Sequence, residues 1–468
     1  MQWMHRKGYS MANDSNGLTQ AFVDYAGSLE YEFIPSQVLK RTKELVLDFL
    51  GVSLGGWSTE STQPVLQAMQ ALAGGAPGDA TVIGEKLGLP AHYASLVNGT
   101  MAHSMDFDDT HREAILHPGT PILSTLLALG ETKHVSGRDF LVAAVIGYDV
   151  ACKLGKVHGE GVHNRGFHPT PTTGMFGAVA AGGRLLCMDS NKVSNAMGVA
   201  LSQASGALQF LENGAWNKRV HVGQAAHNAI ISLTLANHGV IGASQALEGR
   251  YGYLNLYSQD SWDPELAIKD LGQHFEVMST AVKPYPCCRY SHSIIDGVLD
   301  LAKRHDLRPE DVMAIEIHLN SVGASLVAEP QSPKRHPKTV VDAQFSVYFA
   351  AAIALLERSY TWDSYRRLQD PEVTSLMDRV VAVTSPEVNG LGGYVRITAR
   401  DGAVFENRIA LAKGEPESFL TWDELLEKFS PMAEKVLPKS QVDKLIAEVS
   451  ALEEVEDLAE ITSLLRPA

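Results

Sequence analysis

Cysteine is scarce: four in 468 residues, Cys152, Cys187, Cys287 and Cys288, with no Cys-x-x-Cys pair and two of them adjacent. Adjacent thiols suit neither a shared disulfide nor metal chelation, which speaks against a disulfide framework and an iron–sulfur centre and for a reducing cytoplasm. No apolar run reaches the about 18 residues that a membrane span needs, and the basic N-terminal residues carry no signal-peptide core. Positive charge is in deficit too. A net charge of −15 repels nucleic acid and anionic membrane surfaces, so a small anionic substrate requires a local cationic pocket. Gly-x-Gly-x-x-Gly, Walker, pyridoxal-phosphate and His-Glu-x-x-His signatures are all missing. The expectation is a cytoplasmic protein with no cofactor and no resident metal, and no nucleic-acid or membrane partner.

The length exceeds what one hydrophobic core usually supports. Residues 1–17 read as an N-terminal extension, with Met11 as a second possible start. Residues 18–279 carry helical periodicity almost throughout, with Ala and Gly at three- and four-residue spacings that let helices approach closely. Period-two alternation begins near residue 312, in Val312-Met-Ala-Ile-Glu-Ile-His-Leu, and returns at residues 380–384 and 394–400, the latter followed by an Asp401-Gly402 turn. One helix is expected over residues 341–356. The pattern predicts a mainly α protein: a large all-α domain, a smaller α+β domain over residues 280–415 with an antiparallel sheet, and C-terminal helices over 416–468 rejoining the first domain.

Residues 98–120 concentrate the chemistry. His103, His111 and His117 alternate there with Asp106, Asp108 and Asp109 inside an apolar frame, where burying charge is costly without a purpose. On a helix, Asp106 and Thr110 would share one face. His117 precedes Pro118-Gly119 and His168 precedes Pro169, two histidine-proline turns that each open an apolar helix. Lys218 and Arg219 sit just ahead of another helix, where cations are disfavoured unless they answer an anion. Lys283-Pro-Tyr-Pro-Cys287-Cys288-Arg289-Tyr290-Ser291-His292 lies at the domain junction, where clefts form. Arg289 has the fork to hold a carboxylate, and Cys288 reads as a packing cysteine rather than a nucleophile.

Together, Asn98-Gly through Asp109-Thr110, the His117-Pro-Gly turn, Gly166-Phe-His168-Pro, the segment from Lys218 to Gly223 and the junction from Lys283 to His292 resemble the MmgE/PrpD family. The resemblance runs from about residue 18 to about residue 440. It implies a helical domain, a smaller α+β lid, a homodimer and a cofactor-free site between the domains. Carried over by position, it implies Asp106, His117, His168 and His292 as catalytic residues and Thr110, Lys218 and, more weakly, Tyr348 as substrate-binding ones; Arg289 is added from its chemistry. Some decarboxylase members have histidine where this chain has Cys288, and His117 lies one residue further from Asp106 than in their pattern.

The expected activity is that of a lyase on a small di- or tricarboxylic acid. Dehydration of a citrate-type hydroxy-acid, as by a 2-methylcitrate dehydratase, is the first reading; cis-aconitate-type decarboxylation and iminodisuccinate-type epimerisation are alternatives. All need a positioned base or acid and cations to hold carbanion charge. Two rivals from other classes are a metal-dependent all-α hydrolase or synthase using Asp106, Asp108, Asp109, His103 and His111 as ligands, and a non-catalytic carboxylate-binding protein.

Overall fold

The computed structural model describes residues 17–258 and 261–467. Apart from Gly17, the expected N-terminal extension lies outside the described residues. Helices α1 (Leu18–Ser28), α2 (Ser36–Gly56), α3 (Thr62–Leu72), α4 (Ala91–Ser104), α5 (Gly119–Lys133), α6 (Gly137–His158), α7 (Pro169–Leu185), α8 (Ser190–Leu201) and α9 (Asn217–Asn237) follow one another, so the fold is mainly α. Helices α4 and α9 show why small residues matter. A Cβ on Gly99 would stand 2.8 Å from the Cα of Gly223, and one on Gly223 would stand 2.1 Å from the carbonyl oxygen of Leu96. The two helices run antiparallel, His92 near the start of α4 meeting His227 well along α9. That contact brings the end of α4 against the start of α9, and so Asp106 against Lys218.

One apolar core joins these helices and takes in Phe429, Leu445 and Val449 from α13 (Trp422–Ala433) and α14 (Lys439–Ser450). Helix α13 packs on α2, where Phe429 fills the space beside Gly51. A second core contains Ile295 and Val298 of α10 (His292–Arg304), Ile315 and Ile317 of strand β3 (Val312–Leu319), Phe349 of α12 (Val347–Glu357) and Ile397 of β5 (Gly393–Ala399).

The sheet order is β4-β3-β5-β6, with β4 at Val380–Thr384 and β6 at Val404–Ile409. Pairs β3–β5 and β5–β6 are antiparallel, but β4 runs parallel to β3, so the sheet is mixed where antiparallel was expected. The helices between β3 and β4 form a crossover, and a crossover returns the chain in its original direction. The helix expected over residues 341–356 is two: α11 (Val340–Gln344) and α12, separated at Phe345 and Ser346. Ser346 starts α12 by accepting the amide of Phe349 at 3.1 Å. The smallest sheet escapes sequence patterning: β1 (Thr110–His111) pairs with β2 (Thr280–Ala281) and ties the two ends of the site together.

Candidate active site

Helix α4 ends at Ser104, and Asp106 adopts a left-handed conformation with φ 52°. Aspartate tolerates that region better than most residues, and it terminates the helix there. Asp106 and Thr110 are therefore not two positions of one helix; Thr110 lies on β1, its hydroxyl buried without a hydrogen-bond partner. The turn buries the Asp106 carboxylate between two ammonium groups. Its Oδ1 accepts from Lys218 Nζ at 2.6 Å and lies 3.2 Å from Lys283 Nζ, which also donates to the Asp106 carbonyl at 2.8 Å. Burial alone would raise the carboxyl's pKa, but Lys218 and Lys283 hold it far below the usual carboxylate range.

Beside this ion cluster lies a group of histidines. His103 Nδ1 is 2.8 Å from Asp108 Oδ2, which also accepts the Thr120 hydroxyl at 2.8 Å. Burial acts upward on Asp108, yet His103 and His117 keep its pKa well below normal, so the carboxylate is ionised and the proton of neutral His103 belongs on Nδ1. The lone pair is then on Nε2, which no protein group takes. Burial lowers the His103 pKa to about 4. Its ring centre is 4.7 Å from that of His117 and 5.7 Å from that of His168, which in turn is 5.8 Å from His221. Burial also lowers His117, His168 and His221, the last to about 4, so the free site holds neutral imidazoles at neutral pH.

A cavity of about 260 Å³ opens between the helical body and the α+β part. His103, Asp106, Lys218 and Arg219 are on its helical wall; Glu329, Lys334, Asp342, Gln344 and Phe345 are on the other. Among the residues expected from the sequence to act on or bind substrate, Asp106 and Lys218 line this cavity. His117, with Nε2 3.8 Å from Asp106 Oδ1, and His168, the N-cap of α7, stand in a second row behind His103. His292 is further back, 3.2 Å from the Cys287 carbonyl that Lys283 also contacts. Arg289 forks onto Glu415, and Tyr348 is buried in the second core, donating to the Ala328 carbonyl at 3.3 Å. Cys288 is buried, and burial pushes its thiol up, away from the thiolate a nucleophile requires.

The sequence pattern does not single out Lys283 as a member of the ion cluster; a lysine before two prolines is the signal it carries. Nor does it single out Lys334, Gln344 or Phe345. Gln344 donates to the Met105 carbonyl at 2.7 Å and so braces the turn that carries Asp106.

The ligand set of the metal-dependent reading is divided. Asp109 accepts from Tyr148 at 2.5 Å and from the Gly119 amide at 3.0 Å, while His111 pairs with Glu276 at 2.9 Å. Among the described residues, His103, Asp108 and His117 keep ligand-type atoms within 4.8 Å of one another and could hold an ion. One Asp108 oxygen is already engaged by His103 and Thr120.

A buried carboxylate pinned by two lysines, beside neutral histidines and at a cavity between a helical body and an α+β part, is an arrangement chemically able to hold a small anion and to transfer protons. The MmgE/PrpD N-terminal domain model matches residues 20–265 and the MmgE/PrpD C-terminal domain model residues 285–454. The chain belongs to the MmgE/PrpD family and is an enzyme of the lyase kind. It is 27% identical over 480 residues to a cis-aconitate decarboxylase of Aspergillus terreus, covering 97% of each chain. The cis-aconitate decarboxylase of Mus musculus is 28% identical, covering 96% of this chain and 93% of that one. That of Homo sapiens is 29% identical, covering 96% and 94%. Among the described residues no helix is long and apolar enough to cross a membrane.

Proposed function

We propose that this enzyme is a lyase acting on a small tricarboxylic or dicarboxylic acid, and that it removes CO2 from a cis-aconitate-type substrate without a cofactor. The likeness to cis-aconitate decarboxylases along nearly the whole chain carries the choice of decarboxylation over the dehydration expected from sequence. Dehydration of a citrate-type hydroxy-acid is the second reading, favoured by Cys288 at the position where some decarboxylases of the family have histidine.

In this reading Lys218, anchored by Asp106, holds a substrate carboxylate conjugated to the reacting carbon. The C–C bond to the departing carboxylate breaks and its electron pair delocalises into the remaining unsaturated acid, where the ammonium groups offset the charge. A proton then returns to carbon from the histidine group. In the free site burial keeps these rings neutral; a bound polyanion favours the imidazolium form and charges one of them only when substrate is present. His103 is the ring at the cavity wall, with His117 and His168 next to it. Dehydration would use the same parts in another order: an imidazole removes the proton α to a carboxylate and an acid escorts hydroxide out.

A panel of cis-aconitate, citrate, 2-methylcitrate and iminodisuccinate, followed by proton NMR in D2O, tests the proposal. Loss of CO2 from cis-aconitate with one solvent deuterium on product carbon is the expected result. Turnover of the hydroxy-acids alone would establish dehydration instead, and no conversion of any acid would overturn the substrate class.

A further inference from the structure

The cations of the helical wall and of the junction behind it have partners. Lys218 and Lys283 hold Asp106, and Arg219 Nη1 reaches Glu60 Oε1 and Ser61 Oγ, both at 3.0 Å. Lys334, on the α+β side, is different. Among the described residues its ammonium has neither a salt bridge nor a hydrogen bond to a carboxylate. Its neighbour is the Phe345 ring, 5.6 Å away, and Lys218 stands 5.5 Å from the centre of the same ring. The nearby Asp342 is occupied in capping: its Oδ2 accepts the amides of Lys338 and Thr339. The backbone of Lys334 is fixed, its carbonyl accepting the hydroxyl of Ser346 and its amide donating to Pro330.

We propose that Lys334 binds a second carboxylate of the substrate, distal to the one held by Lys218, and so selects polycarboxylates over monocarboxylates. This rests on the carboxylic-acid reading of the same cavity but not on which bond is broken there. An ammonium partly withdrawn from water, with Asp342 acting on it only through space and no carboxylate in direct contact, is disfavoured, and a ligand carboxylate removes that penalty. Burial lowers the Lys334 pKa, which a bound anion would reverse. Phe345, at the break between α11 and α12, stands near both ammonium groups, and both line one cavity, so one small molecule with two carboxylates would reach both.

The test is calorimetric titration of the full chain with propane-1,2,3-tricarboxylate, which has no leaving group and no double bond, and with crotonate as the monocarboxylate. Lys334→Met should weaken tricarboxylate binding by about tenfold or more, leave crotonate within about twofold, and be largely restored by Lys334→Arg. Lys334→Gln takes the place of the methionine variant if that one aggregates. Equal tricarboxylate affinity in wild type and variant, or no tricarboxylate binding by wild type, overturns the proposal. A loss of affinity together with no turnover of any acid in the panel supports Lys334 while removing the proposed reaction.

Discussion

The two walls of the cavity solve opposite problems. On the helical wall, Asp106 pairs with Lys218 and, from the domain junction behind it, with Lys283, so these charges are placed before any ligand arrives. On the α+β wall, Lys334 makes no direct ion pair among the described residues, and Asp342 acts on it only through space. A wall whose charges are already paired keeps its geometry before the ligand arrives, which suits chemistry; a wall whose ammonium has no direct ion pair suits selection. The difference teaches that reactivity and specificity can be located on separate cores of one chain.

The largest effect that would sharpen this contrast is on rate. His103→Ala and His168→Ala should each lower kcat by about 10²–10⁴-fold, the range for loss of a proton-transfer group, in steady-state assays on the best acid of the panel. Rates near wild type in both would separate the histidines from the chemistry.

Stability distinguishes the walls next. Lys283→Met leaves Asp106 with one lysine in a buried setting and should cost about 3–5 kcal/mol in urea unfolding. Lys334→Met breaks no pair and should stay within about 1 kcal/mol of wild type. Equal losses would contradict the asymmetry.

A smaller, pH-dependent effect belongs to Asp109, three residues from Asp106 and opposite in character. Burial raises its pKa to about 7, against the hydrogen bond from Tyr148. Folding therefore retains a proton that the unfolded chain gives up near pH 4, and this contribution to stability fades as pH rises from about 4 to about 7. Asp109→Asn should thus gain stability relative to wild type across that window, read as the difference between two thermal-melt series. A constant difference would show that Asp109 is already ionised in the folded protein.

Much of this architecture was legible in local patterning. The helices of the body, strand β3 and the turn at Gly402 follow from periodicity and turn chemistry, and the histidine-proline turns marked the starts of α5 and α7. Asp106 and Lys218 stood out because charge near an apolar helix end requires a reason. The remainder depends on contacts that no local pattern encodes. The two-residue ladder β1–β2 joins segments far apart in sequence, and the parallel placement of β4 follows from where its crossover packs. The left-handed turn at Asp106 replaces the helical geometry that a spacing of four suggested. The role of His103 rests on Asp108 fixing its tautomer, and Lys334 is notable only for what its surroundings lack.

The most direct test of the central claim, that the Asp106 cluster performs the chemistry, is a D2O NMR time course of cis-aconitate with wild type and Asp106→Asn at equal folded concentration. The account predicts CO2 loss with deuterium incorporation by wild type and a rate at least about 100-fold lower in the variant. Equal rates in the two proteins would contradict it.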